Sequence, residues 1–262
     1  MVSENRDPKV LSSVSNALRI LKSFSTFQPT QRVSALAESL GLAKSTVSRL
    51  CSTLAHEGFV VKDKRTGEYR LGLAVLTLGG IVTNELEIHK EASPVMSNLV
   101  TETGESAHLA VLDGLSTIYI HKEECTHPVR ILTHLGRKNP AYCTSSGKVL
   151  LAFDEGKLVD EIIDQGLKKY TNKSITDPDQ LLRELRWIKE HGYAVSTEEL
   201  TEGTRSIAAP IRDYTGKVVA SINVVGPIQR IRDHKIPDFA RKVKQAGIDA
   251  SERLGYDPRF LG

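Results

Sequence analysis

A short segment near the N terminus places hydroxyl and guanidinium groups along one side of a predicted helix. At about 100° per residue, the polar face holds Lys44, Ser45, Thr46, Ser48, Arg49 and Ser52, and the apolar face holds Val47, Leu50, Cys51 and Leu54. Serine and threonine are poorer helix formers than lysine and glutamate, so a solvated face seldom carries so many hydroxyls. Short polar side chains let a helix approach the floor of a DNA groove, and arginine can form two hydrogen bonds to a guanine edge.

The flanking elements complete a DNA-binding pattern. A first helix is predicted from near Val10 to before Gln28, and a second covers Ser34 to Leu40, with Ser34 as its N-cap and Gly41 as its C-cap. The third helix, Ala43 to Glu57, follows after a short turn, which is the layout of a helix-turn-helix. Next, Phe59–Val61 and Tyr69–Leu71 predict a hairpin, or wing, whose Lys62, Lys64 and Arg65 would contact phosphates. The alternative is a small helical domain whose polar face only meets water.

The charge is distributed unevenly along the 262 residues. Residues 1–72 carry 11 Lys+Arg and 6 Asp+Glu, whereas the remainder carries 24 and 26. The N-terminal part is therefore the part suited to a polyanion.

Overall composition is that of an ordinary folded protein. Hydrophobic residues make up 40% and charged residues 26%, and the longest uncharged stretch, Leu71 to Asn84, is shorter than a membrane span requires. Polar residues follow Met1, so no signal peptide is expected. An odd number of cysteines at irregular spacing (Cys51, Cys125 and Cys143) argues against a disulfide framework and predicts a reducing cytoplasm.

Beyond the hairpin, Leu73 to about Glu91 is predicted to be a connecting helix, after which strands and helices mix. The predicted strands are Ser106–Leu112, Thr117–His121, Val129–Leu132, Tyr193–Ser196, Ser206–Ile211 and Val218–Val225. The predicted helices are Ser146–Phe153, Lys157–Gln165, Pro178–Glu190 and Pro237–Leu254.

The helix predicted from Ser146 begins with hydroxyl side chains. Ser and Thr at a helix start can cap free amides, and those amides together with the helix dipole can bind an anion such as a small carboxylate. Plain capping without a ligand is the alternative. A phosphate-binding Walker loop is excluded, because Tyr142 replaces the required glycine and Val149 follows Lys148. Ser196, Ser206 and Asn223 lie in otherwise apolar strands and need partners, either protein or ligand.

Two alternative functions are open to this half of the chain. A metal sensor would use His121, Cys125, His127 and Cys143, although structural zinc sites usually show closer paired spacings. An enzyme fused to a DNA-targeting module is the other, but the chain has no G-x-S-x-G, H-E-x-x-H, C-x-x-C or G-x-G-x-x-G motif. No metal, cofactor or catalytic residue is therefore predicted.

An ordered series of segments resembles the IclR family of bacterial transcriptional regulators over nearly the full length. The series comprises Gly41–Leu50, Glu57–Val60, Tyr69–Gly72, Ser106–Gly114, Gly136–Ala152, Gly192–Val195, Gly203–Pro210 and Val224–Pro227. The resemblance implies an α+β chain. It would have a flexible arm (residues 1–9), a winged helix-turn-helix domain (10–72), a linker helix (73–91) and a GAF/PAS-like α/β effector-binding domain (92–262).

The resemblance also implies a function and a pocket. The chain would be a ligand-responsive regulator, either activator or repressor, that binds a palindromic or repeated operator as a dimer or tetramer and controls a catabolic operon in response to a small organic acid. The pocket residues carried over by position are Ile131, Asn139, Ser145, Ser146, Ser196, Ser206 and Asn223. The chain departs from the family's pattern in two places. It has Tyr142-Cys143 where the family commonly has His-Ala, and it has Ser196 where an acidic residue is common.

Overall fold

A computed structural model describes residues 11–25, 28–85, 87–128, 131, 133–154 and 156–257, with only the backbone of residues 80–85. The arm predicted for residues 1–9 lies outside the described residues, as does the strand predicted for Val129–Leu132 except for Ile131. The chain divides into two compact units at residues 85 and 86, and each is treated by itself. In the described parts of both units, no helix is long and apolar enough to cross a membrane.

The first unit is built from four helices and a small antiparallel sheet among its described residues. Its elements are α1 (Ser12–Lys22), β1 (Thr30–Gln31), α2 (Val33–Leu40), α3 (Lys44–His56), β2 (Val60–Lys62), β3 (Tyr69–Leu71) and α4 (Leu73–Glu85). The sheet order is β1-β3-β2, so the predicted hairpin is confirmed and gains a third, unpredicted strand.

The apolar faces of α1, α2 and α3 form the core of this unit. Ile20, Leu36, Val47 and Cys51 are fully buried there, as the helical spacing of the apolar residues predicts. Gly41 ends α2 in the left-handed conformation (φ +66°), which favours glycine, so the predicted C-cap is confirmed. The predicted N-cap is wrong: the extended backbone of Arg32 precedes α2, and Ser34 already lies inside the helix.

The second unit is a six-stranded antiparallel sheet with helices on both faces. Its elements are α5 (Glu87–Thr103), β4 (Ser106–Asp113), β5 (Ser116–Glu123), β6 (Lys138–Pro140), α6 (Ser145–Ala152), α7 (Lys157–Gln165), α8 (Pro178–His191), β7 (Ala194–Thr197), β8 (Thr204–Arg212), β9 (Val218–Pro227) and α9 (Ile236–Arg253). The strand order is β6-β5-β4-β9-β8-β7.

Strand alternation in this sheet separates an apolar face from a polar one. On β9, Ile222 and Val224 belong to the core beneath α5 and α9. The side chains between them point the other way, because successive residues of a strand face opposite sides of a sheet. Accordingly, Ser221 and Asn223 hydrogen-bond to Ser146 at the start of α6.

Helix α6 packs very closely on the 3₁₀ turn that precedes it. A Cβ atom at position 147 would overlap the carbonyl group of Ala141, so only glycine fits there. The close contact fixes the start of α6 relative to the turn Ala141–Cys143, and the sheet supports both.

The segment predicted as one linker helix differs in the structure. Two helices, α4 and α5, are found, and Leu86 between them lies outside the described residues. The predicted end near Glu91 is wrong, because α5 continues to Thr103 and buries Val95, Met96 and Leu99 against the sheet. Strand β6 is a further element that the sequence patterns do not predict.

Candidate functional site

The polar face of α3 is exposed to solvent in the first unit. Its exposed side chains are those predicted to contact DNA: Lys44, Ser45, Thr46, Ser48, Arg49 and Ser52. Val47, Cys51 and Leu54 are buried on the opposite side. This division follows directly from the helical wheel, so the exposed placement of the polar face is confirmed.

The β2–β3 hairpin presents its cations at the tip. The Asp63 carboxylate accepts hydrogen bonds from the backbone N–H groups of Arg65, at 2.7 Å, and Thr66, at 3.1 Å. This Asx turn fixes the loop backbone and leaves the side chains of Lys62, Lys64 and Arg65 exposed.

The cations of the helix and hairpin are available to an external anion. Arg49, Lys64 and Arg65 make no ion pair within the part of the chain that the structure describes. A helix with short polar side chains and one unpaired guanidinium, followed by a basic hairpin, has the groups needed for base-edge and phosphate contacts.

The second unit contains a small inner cavity, of about 90 Å³, beside the start of α6. Four predicted pocket residues lie in its wall: Ile131, Asn139, Ser196 and Ser206. Thr133, Arg137, Cys143 and Thr144 also line it, and none of the described lining residues is Asp or Glu. Burial raises the pKa of the Cys143 thiol to about 12, so this side chain adds no negative charge near neutral pH.

The three other predicted pocket residues form a hydrogen-bonded layer outside that lining. The Ser145 hydroxyl donates to Ser206 Oγ at 2.8 Å, and the Asn223 amide donates to Ser146 Oγ at 2.9 Å. All three are buried, so their side chains support the wall. Sequence position alone does not distinguish lining residues from supporting ones.

The start of α6 offers backbone donors next to the cavity. Thr144 caps the helix, accepting a hydrogen bond from Gly147 N–H at 3.0 Å. No acceptor is found in the described part of the chain for the N–H groups of Ser145 and Ser146, which begin the helix. Helix-start amides of this kind favour a bound anion.

Sequence reasoning missed His108, which links the supporting layer to the cavity wall. Its ring nitrogens lie 3.0 Å from Asn223 Oδ1 and 2.5 Å from Thr133 Oγ1. Burial lowers the pKa of His108 to about 4, so the ring is neutral; Nδ1 donates to the amide oxygen and Nε2 accepts from the hydroxyl. The only sequence signal was a histidine inside an apolar strand.

Lys148 was also missed as a structural group. It is completely buried, and its ammonium donates to Glu199 at 2.7 Å, Glu184 at 2.8 Å and the Val195 carbonyl at 3.0 Å. Burial raises the pKa of Glu199, and the charge of Lys148 opposes that shift. In the sequence, the buried position of Lys148 was indicated only by the four apolar residues that follow it.

The residues considered as metal ligands do not converge. Nδ1 of His121 lies 3.1 Å from Nε2 of His89, and Nε2 of His121 lies 3.2 Å from Oε1 of Glu123. Cys125 is a buried free thiol. Cys143 lines the inner cavity instead. Within the described ranges, no three His, Cys, Asp or Glu residues are placed to hold a metal ion.

Both units match family models of known regulators. Residues 13–64 match the IclR helix-turn-helix domain, and residues 81–252 match the bacterial transcriptional regulator IclR C-terminal domain. The HTH-type transcriptional regulator KipR of Bacillus subtilis is 35% identical over 230 residues, covering 87% of this chain and 92% of that protein. The regulator KdgR of Escherichia coli is 31% identical, covering 96% of each.

The fold comparison agrees with the sequence comparison. A solved IclR transcriptional regulator from Alicyclobacillus acidocaldarius superposes with a TM-score of 0.84 at 28% identity, covering 94% of this chain and 100% of that one. The chain therefore belongs to the IclR family of ligand-responsive, DNA-binding transcriptional regulators.

Proposed function

We propose that α3 reads operator DNA while the wing holds the phosphate backbone. Arg49 would contact a base edge, with Ser45, Thr46 and Ser48 at bases or phosphates and Lys44 and Ser52 beside them. Lys62, Lys64 and Arg65 would contact phosphates. The observation that carries this proposal is the fully exposed hydroxyl-and-arginine face of α3, whose guanidinium has no ion-pair partner in the described part of the chain.

The proposed effector is a small organic acid bound in the inner cavity. Hydroxyl groups and Arg137 offer donors in its described lining, and the start of α6 with its two helix-start amides lies behind that lining. No described lining residue carries a carboxylate that would oppose an anion. The residues assigned to this site are Ile131, Asn139, Ser196 and Ser206 as lining, with Ser145, Ser146 and Asn223 behind them. The chain would act as a regulator without catalysis, in the cytoplasm where the DNA is.

The proposed signal passes through residues 73–91. In this division, residues 10–72 bind DNA, residues 92–262 bind the effector, and the segment between them connects the two. The protein would act as a homodimer or tetramer on a palindromic operator of a catabolic operon. The two half-sites of a palindromic operator are related by two-fold symmetry, as are the two subunits of a homodimer. Binding of acid and of DNA must then affect each other equally.

The test is a binding titration with DNA from the region flanking the protein's own gene. We expect the native fragment to bind more tightly than a scrambled fragment of equal length, with affinity falling steeply as salt rises. Adding an acid that binds the protein should change the affinity for the native fragment. Equal affinity for native and scrambled DNA at every salt concentration would overturn the proposed operator recognition.

A further inference from the structure

A second, larger cavity adjoins the inner one in the second unit. Its volume is about 570 Å³, and it shares Arg137, Asn139, Leu200 and Thr201 with the inner cavity. Sites for organic ligands usually span about 300–1,000 Å³, so the inner cavity lies below that range and the larger one within it. An effector longer than a few carbon atoms would have to extend from the first space into the second. We call the second space the outer chamber.

The outer chamber has a cationic wall. Arg137, Lys138 and Lys168 line it, and no Asp or Glu is found among the lining residues that the structure describes. Lys138 is ion-paired with Asp113, which is not part of the lining. Lys168 makes no ion pair in the parts of the chain that are described, and its ammonium lies 5.5 Å from the Tyr170 ring centroid. The wall therefore carries positive charge that a ligand carboxylate can neutralise.

The turn before α6 contributes to the walls of both spaces. Tyr142 lines the outer chamber, and the next residue, Cys143, lines the inner cavity. The Tyr142 hydroxyl donates to the Lys168 carbonyl at 3.0 Å. The turn is therefore linked to the segment that carries the exposed cation of the outer chamber.

We infer that the effector is an organic acid with two anionic ends, one bound in the inner cavity and the other by Lys168 in the outer chamber. This inference rests on the proposed function, since it assumes that the inner cavity binds a carboxylate. It adds the class of ligand: a linear dicarboxylic acid, or a related acid with a second anionic group at its far end.

The experiment is isothermal titration of the full chain with two series of acids. One series contains α,ω-dicarboxylates of increasing length, and the other contains the monocarboxylates of the same lengths. We expect at least one dicarboxylate to bind about two- to fivefold more tightly than its matched monocarboxylate.

The matched variants are Lys168→Glu and Lys169→Glu. Both residues are exposed and adjacent in the chain, and both substitutions change the net charge by the same amount. Of the two, Lys168 is the one that lines the outer chamber. Lys168→Glu should weaken binding of the preferred dicarboxylate by about five- to tenfold and leave the monocarboxylate unchanged. Lys168→Gln should give a smaller loss, and Lys169→Glu should bind both acids as the unaltered protein does.

Three results would each overturn the inference. They are that no dicarboxylate of the series binds, that the second carboxylate adds no affinity, or that Lys168→Glu and Lys169→Glu have equal effects. Operator affinity measured without any acid distinguishes failure of this inference from failure of the proposed function. This affinity should be the same for the unaltered protein, Lys168→Glu and Lys169→Glu. If none of the three proteins binds the operator, the proposed DNA recognition is wrong, and the inference about the outer chamber is not affected.

Discussion

The ammonium of Lys148 lies 2.7 Å from Oε1 of Glu199, and both side chains are buried. The same ammonium also donates to Glu184 and to the Val195 carbonyl. One residue of α6 therefore fixes β7 and the segment leading from it, which includes Leu200, a lining residue of both cavities. The second oxygen of Glu199 has no hydrogen-bond partner in the described part of the chain, so the carboxylate depends on Lys148.

Lys148→Met is expected to lower the free energy of unfolding by about 3–5 kcal/mol, because it leaves a buried carboxylate without its cation. Denaturant titration of the full chain measures the decrease. Lys189→Met, at an exposed position of α8, is the control and should change the value by less than about 0.5 kcal/mol.

A second variant separates the effect of the charge pair from the effect of packing. Combining Lys148→Met with Glu199→Gln removes both buried charges, so the double variant should be more stable than Lys148→Met alone. If the destabilisation of the two single variants simply adds in the double variant, the interaction between Lys148 and Glu199 contributes nothing to stability.

His108 should make stability depend on pH in the acid range. Its folded-state pKa of about 4 is below the ordinary value of 6.5, so the unfolded chain takes up the proton first as pH falls. The contribution is fully present above pH 6.5 and decreases towards pH 4, by about 3 kcal/mol altogether. We expect His108→Gln to show a shallower decrease of unfolding free energy between pH 7 and pH 4.

The matched control for that titration is His56→Gln. The side chain of His56 is exposed in the first unit, so this variant controls for the loss of a histidine that is not buried. Equal slopes for the unaltered protein and His108→Gln would contradict the assignment of the buried neutral ring.

Local patterns in the sequence are sufficient to predict the exposed polar face of α3. The exposure of Arg49 and the burial of Val47 depend only on the period of one helix and on which side is apolar. The strands around Ile207 and Ile222 are likewise predicted by their β-branched residues. By contrast, strand β6 consists of Lys138, Asn139 and Pro140, none of which favours a strand, so only pairing with β5 reveals it.

The effector site depends on contacts between distant parts of the chain. His108 and Asn223 are 115 positions apart, and Lys148 and Glu199 are 51 apart. No periodicity connects such residues, so their partnership is not predictable from one sequence. Asn223 is noticeable in the sequence as a polar residue in an apolar strand, and Ser146 as a hydroxyl at a helix start. Their contact with each other makes them supports of the cavity wall.

Arg49→Ala should reduce discrimination between operator and scrambled DNA by about 1–3 kcal/mol, the usual value of a bidentate contact between arginine and a base. Competition binding of the two DNA fragments at one salt concentration measures this difference. Arg49→Lys keeps the charge but not the planar fork, so it should reduce most of the discrimination as well. Equal weakening on both DNA fragments would show that Arg49 contacts only phosphate.

The wing variants Lys64→Ala and Arg65→Ala should behave differently from Arg49→Ala. Each removes a cation from the hairpin tip, so affinity should fall for operator and scrambled DNA alike. The slope of log affinity against log salt should decrease by about 0.9 for each phosphate that the variant no longer neutralises. An unchanged slope in both variants would mean that the wing does not touch the DNA backbone.

Ser206→Val should uncouple the protein from its acid effector while leaving the DNA-binding unit intact. Ser206 lines the inner cavity and accepts the Ser145 hydroxyl, so valine removes a hydroxyl group that the proposed effector would contact. The expected cost of about 1–3 kcal/mol corresponds to roughly 5- to 150-fold more acid for the same shift in operator affinity. Ser206→Thr retains the hydroxyl and should respond more like the unaltered protein. Operator affinity without acid should be the same in all three, and a Ser206→Val protein with an unaltered acid response would place the effector elsewhere.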